Sequence, residues 1–192
     1  MIPKVELDAL LEGRHSDPFA VLGPHPDRLG RTWLRALLPG AEQVEVVDVA
    51  TGEALATLTA RVPGVFFEAS VGATCPAYRL RVRWQHGVEG DYVDPYAFGS
   101  AIAAEDIYFL GEGSHLRPWQ VLGAHPITLS GVAGTRFAVW APNASRVSVV
   151  GDFNAWDGRR HPMRVHHGAG VWEIFLPQVG AGERYKYEIR SR

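Results

Sequence analysis

Short segments in which hydrophobic and polar residues alternate dominate the chain and predict β-strands. They lie at residues 33–37, 44–48, 55–59, 65–69, 78–84, 136–140, 147–150, 171–175 and 185–189. Most are rich in β-branched or aromatic residues, and turns containing Gly, Pro or Thr separate them. This spacing is typical of a small antiparallel β-sandwich. Two stretches differ: residues 5–12 fit a short helix that ends at Gly13, and residues 101–110 fit a short helix or a strand.

A twelve-residue segment is repeated one hundred positions later. Residues 15–26 and 115–126 share His, Pro, Val-Leu-Gly and His-Pro at the same spacing, and similar strand patterns follow both copies. The copies are rich in Pro and Gly, so we expect irregular loops there. The sequence therefore predicts an all-β protein with two tandem immunoglobulin-like β-sandwich modules, residues 1–103 and 104–192.

The second module has fewer predicted strands than the roughly seven of an immunoglobulin-like sandwich. The strand predicted at residues 185–189 is also followed by only three residues that could form a turn toward a partner strand. We therefore expect an incomplete second module and a chain that is the front piece of a longer protein.

Composition narrows the classes of partner. A formal net charge of −2 and a pI near 6.4 give no electrostatic case for binding nucleic acid or an anionic membrane, and neutral partners fit better. The single cysteine, Cys75, excludes an intrachain disulfide and fits a reducing compartment. No apolar run approaches the ~20 residues of a membrane span, and the first residues do not form a secretion signal. We expect a cytoplasmic protein.

The segment at residues 149–158, Val-Val-Gly-Asp-Phe-Asn-Ala-Trp-Asp-Gly, carries the sharpest local signal. A strand runs into a turn in which Asp152 and Asn154 can bond nearby amides, while Phe153 is expected to face inward. Trp156 lies among turn formers, where an indole is hard to bury, so part of its face is expected to be open to a ligand. The other five tryptophans are expected in the core or in interfaces: Trp33, Trp84, Trp119, Trp140 and Trp172.

The eight histidines do not indicate a metal site. They occur without paired cysteines or a His-Glu-x-x-His helix. Those of the two repeat copies are expected to bond loop backbone: His15, His25, His115 and His125. Phosphate-binding and Gly-x-Ser-x-Gly motifs are absent from the sequence too, so it predicts no cofactor.

Two sets of motifs resemble known families. Phe-x-Val-Trp-Ala-Pro-Asn-Ala at 137–144, Val-Gly-Asp-Phe-Asn-x-Trp at 150–156 and Glu-Arg-Tyr-Lys-Tyr at 183–187 resemble carbohydrate-binding module family 48. That family includes the glycogen-binding module of the AMP-activated kinase β subunit. The first repeat copy and Asp-Pro-Tyr-x-Phe-Gly at 94–99 resemble the extra N-terminal module of bacterial 1,4-α-glucan (glycogen) branching enzymes.

The resemblance implies a glucan-binding site. It assigns sugar stacking to Trp156 and hydrogen bonds with sugar hydroxyls to Lys186. Asn154, in the same turn, is a further candidate, with stabilisation of the turn as its alternative role. In the kinase-type module a second stacking aromatic follows the lysine, at a position beyond this sequence, so an incomplete or altered site is expected.

The resemblance also implies where catalysis takes place. Such enzymes use two carboxylates on a barrel that follows the second module, so we assign no catalytic residue to this chain. The expected partners are an α-1,4-glucan such as glycogen and the C-terminal catalytic barrel, and we expect a monomer. Alternatives are a non-enzymatic glycogen-tethering module, which leaves the first module unexplained, or the front of a debranching relative, which the first module argues against.

Overall fold

Thirteen β-strands and two short helices form the regular structure of residues 2–191, the part of the chain that the computed structural model describes. The helices are α1 (Lys4–Leu11) and α2 (Ala104–Glu112). All strand pairs between these residues are antiparallel, which confirms the predicted fold class. Met1 and Arg192, the outer limits of the two expected modules, lie outside the described residues. Neither α1 nor α2 has the length and apolar character that crossing a membrane requires.

The chain divides into two compact units. Residues 20–97 form one, here called the N-terminal sandwich. Phe98 and the residues after it, together with the residues up to Phe19, form the other, here called the C-terminal sandwich. The residues before position 20 were predicted to belong to the first module, whereas the structure groups them with the second. The limits 1–103 and 104–192 stay a prediction.

The N-terminal sandwich is a seven-stranded sheet in the order β1-β2-β5-β4-β3-β6-β7. Its strands are β1 (Gly23–Pro26), β2 (Thr32–Leu37), β3 (Ala41–Asp48), β4 (Ala54–Val62), β5 (Phe66–Ser70), β6 (Tyr78–Trp84) and β7 (Glu89–Tyr92). The first half of β4 pairs with β3 and its second half pairs with β5. Leu34 of β2, Val46 of β3 and Leu80 of β6 share one core, so the two parts of the sheet face each other.

The C-terminal sandwich packs a four-stranded sheet, β11-β12-β9-β8, on a two-stranded sheet, β10-β13. Its strands are β8 (Gly123–Leu129), β9 (Val132–Trp140), β10 (Ala144–Gly151), β11 (Arg164–His166), β12 (Val171–Pro177) and β13 (Tyr185–Ser191). Phe137, Val149 and Ile174 belong to the core between the sheets. The strand expected to need a partner, β13, pairs with β10 along its whole length.

A smaller core covers the other face of the four-stranded sheet. Ile102 and Val121 pack there against Val171, with Leu110 of α2 partly buried beside them. Because both faces of β12 are covered, all seven of its residues are buried, including Glu173. The alternating pattern normally found in a half-exposed strand is therefore lost in β12.

The two repeat copies fold alike. Residues 15–22 and 115–122 are irregular apart from one 3-10 turn, as expected, whereas residues 23–26 and 123–126 lie in strands, which was not expected. Each contains a single 3-10 turn, Pro18–Ala20 or Pro118–Gln120, followed by a strand, β1 or β8. Both strands lie at sheet edges, where a proline removes no ladder bond that the sheet needs.

The histidines of the repeats bond loop backbone, as predicted. The Nε2 atoms of His25 and His125 lie 2.9 and 3.0 Å from the carbonyl oxygens of the residues three positions earlier. The Nδ1 atoms of His15 and His115 each accept a backbone N–H two positions later, at 3.1 Å.

Candidate functional site

A tight turn after β10 carries the candidate site. One 3-10 turn, Asp152–Asn154, follows Gly151, and Ala155 and Trp156 then adopt left-handed backbone angles, with φ of 55° and 58°. This conformation is unfavourable for residues with a Cβ and costs about 1 kcal/mol or more at each position. The amide of Trp156 donates to the carbonyl of Gly151 at 3.0 Å, which closes the turn.

The side chain of Asn154 stabilises this turn through hydrogen bonds with the backbone. The residue is only 4% exposed. The amide oxygen accepts the backbone N–H of Gly151 at 2.9 Å, and Nδ2 donates to the carbonyl of Val149 at 2.9 Å. Nδ2 also lies 2.8 Å from Nδ1 of His161. Both polar atoms of the side-chain amide are therefore bonded within the protein. Any contribution of Asn154 to ligand binding consequently acts through the shape of the turn.

Trp156 lies on the surface, with 42% of the residue exposed. Its indole N–H donates to Oδ1 of Asp152 at 2.8 Å. Oδ2 of the same carboxylate accepts hydrogen bonds from Nη2 and Nε of Arg184, at 3.0 and 3.2 Å. These bonds, first that of Trp156 and then that of Arg184, hold the pKa of Asp152 below its usual value. The ring is anchored through its N–H, which leaves apolar ring surface open to a ligand.

Lys186 lies on β13, directly opposite Val150 and one position from the glycine at which the turn begins. Its neighbours Tyr185 and Tyr187 pack against the core of the C-terminal sandwich. Because side chains alternate along a strand, Lys186 points to the opposite face, and it is exposed. The structure thus places Trp156 and Lys186 at the same end of the two-stranded sheet.

The hydrogen bonds between Asp152 and Arg184 were not predicted from the sequence. Asp152 was expected to bond local amides, and it instead bonds two side chains. Arg184 received no role, although it belongs to the Glu-Arg-Tyr-Lys-Tyr motif. Pairing of β10 with β13 brings the two residues together from 32 positions apart. The motif itself was the available signal, since Arg184 lies two residues before Lys186.

The buried imidazole of His161 makes the turn sensitive to acid. Burial, with the nearby charge of Arg160 as a second cause, lowers the pKa of His161 to about 3. The folded state therefore resists a proton that the unfolded chain accepts below about pH 6.5. We expect the free energy of unfolding of the C-terminal sandwich to fall as pH decreases from about 6.5 to 3, by up to about 1.4 kcal/mol per pH unit from this residue.

Urea unfolding at a series of pH values measures this effect. The His161→Gln variant is the control, because its side-chain oxygen can still accept a bond from Asn154 and has no proton to gain. The slope of stability against pH should be smaller in the variant. Equal slopes in the two proteins would show that His161 is not responsible.

Between residues 2 and 191, the His, Cys, Asp and Glu side chains form no group of three or more that could hold an ion. His166 instead pairs with Glu173 at 2.9 Å.

Two tryptophans expected in the core or in interfaces, Trp119 and Trp140, are largely exposed, whereas Trp172 is buried as expected.

Family comparisons cover most of the chain. Residues 3–96 match the family described as alpha-1,4-glucan branching enzyme GlgB, N-terminal domain. Residues 121–192 match carbohydrate-binding module 48, the isoamylase N-terminal domain. The second match contains Trp156, Arg184 and Lys186.

Similar proteins agree with these matches. The chain is 53% identical to the 1,4-alpha-glucan branching enzyme GlgB of Pseudomonas fluorescens Pf0-1, over 96% of the chain and 24% of the enzyme. It is 50% identical to GlgB 2 of Rhizobium johnstonii, over 94% of the chain and 24% of that enzyme. A pullulanase of Bacillus subtilis complexed with maltose aligns with 84% of the chain and 21% of its own length, at 20% identity and a TM-score of 0.31.

The chain thus spans about a quarter of the length of the curated relatives it matches. Both family matches occur in the order that the sequence motifs predicted. The chain belongs to the N-terminal region of the GlgB branching-enzyme family, with a GlgB N-terminal domain followed by a carbohydrate-binding module of family 48.

Proposed function

We propose that this chain is the non-catalytic, glucan-binding part of a glycogen branching enzyme. Such an enzyme cleaves an α-1,4-glucan and transfers the segment to a 6-hydroxyl, which creates an α-1,6 branch. The observation that carries the proposal is the exposed indole of Trp156, fixed by its bond to Asp152. The chemistry itself belongs to a catalytic barrel that is a separate part of the longer enzyme.

The physical properties of an α-glucan suit this surface. Glucan is uncharged, and its pyranose rings have apolar C–H faces that an indole can cover. Covering about 100 Å² at ~25 cal/mol/Å² contributes at most about 2.5 kcal/mol, before the cost of association. One such contact is weak, but a polymer with many chain ends raises the effective concentration.

Polar groups beside the indole complete the proposed site. Lys186 is exposed at the same end of the two-stranded sheet and can donate to sugar hydroxyls. Arg184, mostly exposed, keeps part of its donor capacity although it pairs with Asp152. Hydrogen bonds from charged donors to neutral hydroxyls orient a ligand more than they strengthen its binding. We therefore expect Trp156 to contribute most of the binding free energy.

The proposed partners are glycogen or another α-1,4-glucan and the catalytic barrel of the same enzyme. We place the protein in the cytoplasm and expect a monomer. The small negative charge of the chain supports neutral partners over nucleic acid or anionic lipid.

Replacing Trp156 by alanine is expected to weaken binding of the chain to glycogen about tenfold, because most of the stacking surface is lost. Affinity electrophoresis in gels containing glycogen measures the change. The backbone cost at φ 58° is similar for Trp and Ala, so the fold should be retained.

Trp119→Ala is the matched control, since Trp119 is also exposed but lies in the second repeat copy. Retardation by glycogen should persist in this variant. If Trp156→Ala binds as well as the unchanged chain, or if both variants lose binding equally, the assignment of the site to Trp156 is wrong.

A further inference from the structure

Large apolar side chains are exposed together on the C-terminal sandwich, around α2 and the second repeat copy. They are Tyr108, Phe109, Leu116, Trp119 and Trp140, here called the apolar patch. Leu116 is 89% exposed and Trp119 is 66% exposed. Single exposed apolar residues are normal on a protein surface, but a cluster of five large ones marks an interaction surface.

The patch is continuous. One surface depression is lined by Phe109 and Trp140 among other residues, and a second is lined by Phe109 and Leu116. The ring of Tyr108 packs edge-on against that of Phe109, with centroids 5.4 Å apart. Trp119 lies in the chain between Pro118, which lines the first depression, and Gln120, which lines the second.

The two repeat copies differ in how their aromatic residue is covered. Phe19 of the first copy packs against the core of the C-terminal sandwich, and the guanidinium of Arg164 lies 3.9 Å from the centre of its ring. The equivalent residue of the second copy, Trp119, is exposed. Phe19 is therefore covered by the C-terminal sandwich, whose strands come after residues 20–97 in the chain, whereas residues 2–191 leave the ring of Trp119 open.

We infer that the apolar patch docks against the catalytic portion of a branching enzyme, the polypeptide that follows the matching region in the relatives. This inference rests on the proposed function. The aligned region makes up 24% of the Pseudomonas fluorescens enzyme, so three quarters of that protein can supply the cover. In the first copy, the residues that cover the aromatic ring lie far along the chain, beyond residues 20–97, and we expect the same of the second copy.

Glucan fits this patch less well than protein does. Sugar hydroxyls need polar partners beside an aromatic face. The polar residue that lines both depressions, His115, is already engaged: Nε2 lies 2.9 Å from Oδ1 of Asp106, and Nδ1 accepts the amide N–H of Arg117. The edge-on packing of Tyr108 against Phe109 also prevents these two rings from forming one flat platform for a pyranose.

Cysteine labelling tests the docking directly. Leu116→Cys is introduced in a Cys75→Ser background, both in the isolated chain and in a chimera in which the chain replaces the aligned segment of the Pseudomonas fluorescens enzyme. Maleimide modification is then followed for the Leu116→Cys peptide by mass spectrometry. We expect labelling about tenfold slower in the chimera than in the isolated chain, because docking limits access to the thiol.

Leu29→Cys, at an exposed position of the N-terminal sandwich, is the matched control and should label at the same rate in both proteins. Equal labelling of Leu116→Cys in chain and chimera overturns the inference. So does protection in the isolated chain that grows with protein concentration, which would indicate a second copy, or protection that requires added maltoheptaose, which would indicate a sugar site.

Thermal unfolding gives a second readout. Trp119→Ser should lower the unfolding temperature of the chimera by about 2–4 °C or more and leave that of the isolated chain nearly unchanged, since the ring is exposed there. Equal shifts in both proteins would contradict docking. Branching by the chimera is measured as the loss of the blue amylose–iodine colour. An active chimera whose Leu116→Cys thiol is labelled freely would refute docking but not the proposed function. An inactive chimera whose thiol is protected would refute the proposed function but not docking.

Discussion

Replacement of Glu173 by leucine is expected to destabilise the C-terminal sandwich by about 3–5 kcal/mol, because it removes the carboxylate at the centre of a buried charge cluster. Glu173 is 1% exposed. It accepts the backbone N–H of Ala101 at 3.0 Å and pairs with His166 at 2.9 Å. Its charge also supports the guanidinium groups of Arg136 and Arg164, whose pKa values burial lowers.

The same carboxylate attaches the connecting segment to the sheet. Arg136 donates to the carbonyl of Ala101 at 3.2 Å, and Arg164 donates to that of Phe98 at 2.7 Å. Burial opposes ionisation of Glu173, but hydrogen bonds from His166, Ser100 and Ala101 outweigh it and hold its pKa below the usual value. Loss of the negative charge would leave two partly buried cations without their common counterion.

Urea unfolding, followed by amide exchange in residues 98–191, measures this loss. Glu173→Gln is the informative comparison, since it keeps an acceptor for the amide of Ala101 and removes only the charge. We expect an intermediate destabilisation. A leucine variant as stable as the unchanged chain would show that apolar packing compensates fully for the cluster, as it does in some proteins with buried ion pairs.

A glycine-to-alanine change at position 23 is expected to destabilise the N-terminal sandwich by about 3 kcal/mol. Gly23 has a φ of 84°, and a Cβ at this position would lie 2.4 Å from the carbonyl oxygen of Tyr96. That backbone cannot easily move. The buried carboxylate of Asp94 accepts the amide of Tyr96 at 2.9 Å and the hydroxyl of Tyr78 at 2.7 Å.

The repeat supplies the matched control. Gly123 occupies the equivalent position with a φ of 103°, but the nearest atom to its added Cβ would be 3.9 Å away, on His125. Gly123→Ala should therefore show only the backbone cost, about 1 kcal/mol. Amide exchange reports the stability of each sandwich separately. Similar losses at the two positions would mean that the contact with Tyr96 contributes nothing.

Much of the sheet structure was predictable because it depends on local patterns. The strong alternation in β2 and β6 marked these strands within one residue of their ends, whereas β9 begins four residues before its predicted segment. β1 and β8 were not predicted, because their prolines are tolerated only at sheet edges, and edge position depends on the order of strands. The short β7 and β11 bury few side chains, so they leave little pattern to detect.

The candidate site also combines features that the sequence predicted with features that it did not. The turn and the exposure of Trp156 follow from residues within ten positions of one another, and the sequence predicted both. The bond between Asp152 and Arg184 depends on how β10 and β13 align, and the cluster around Glu173 depends on what covers the second face of β12. Such contacts are set by the packing of distant segments, which local spacing does not specify.

The pairing of β10 with β13 also has a consequence for synthesis on the ribosome. β10 is complete at Gly151, but its only partner in the two-stranded sheet begins at Tyr185. Because translation proceeds at about 5–20 residues per second, the backbone edge of β10 is without that partner for a few seconds. Until then it is an unpaired strand edge that another nascent chain could join. The turn bearing Trp156 is consequently among the last parts of the C-terminal sandwich to reach its final form.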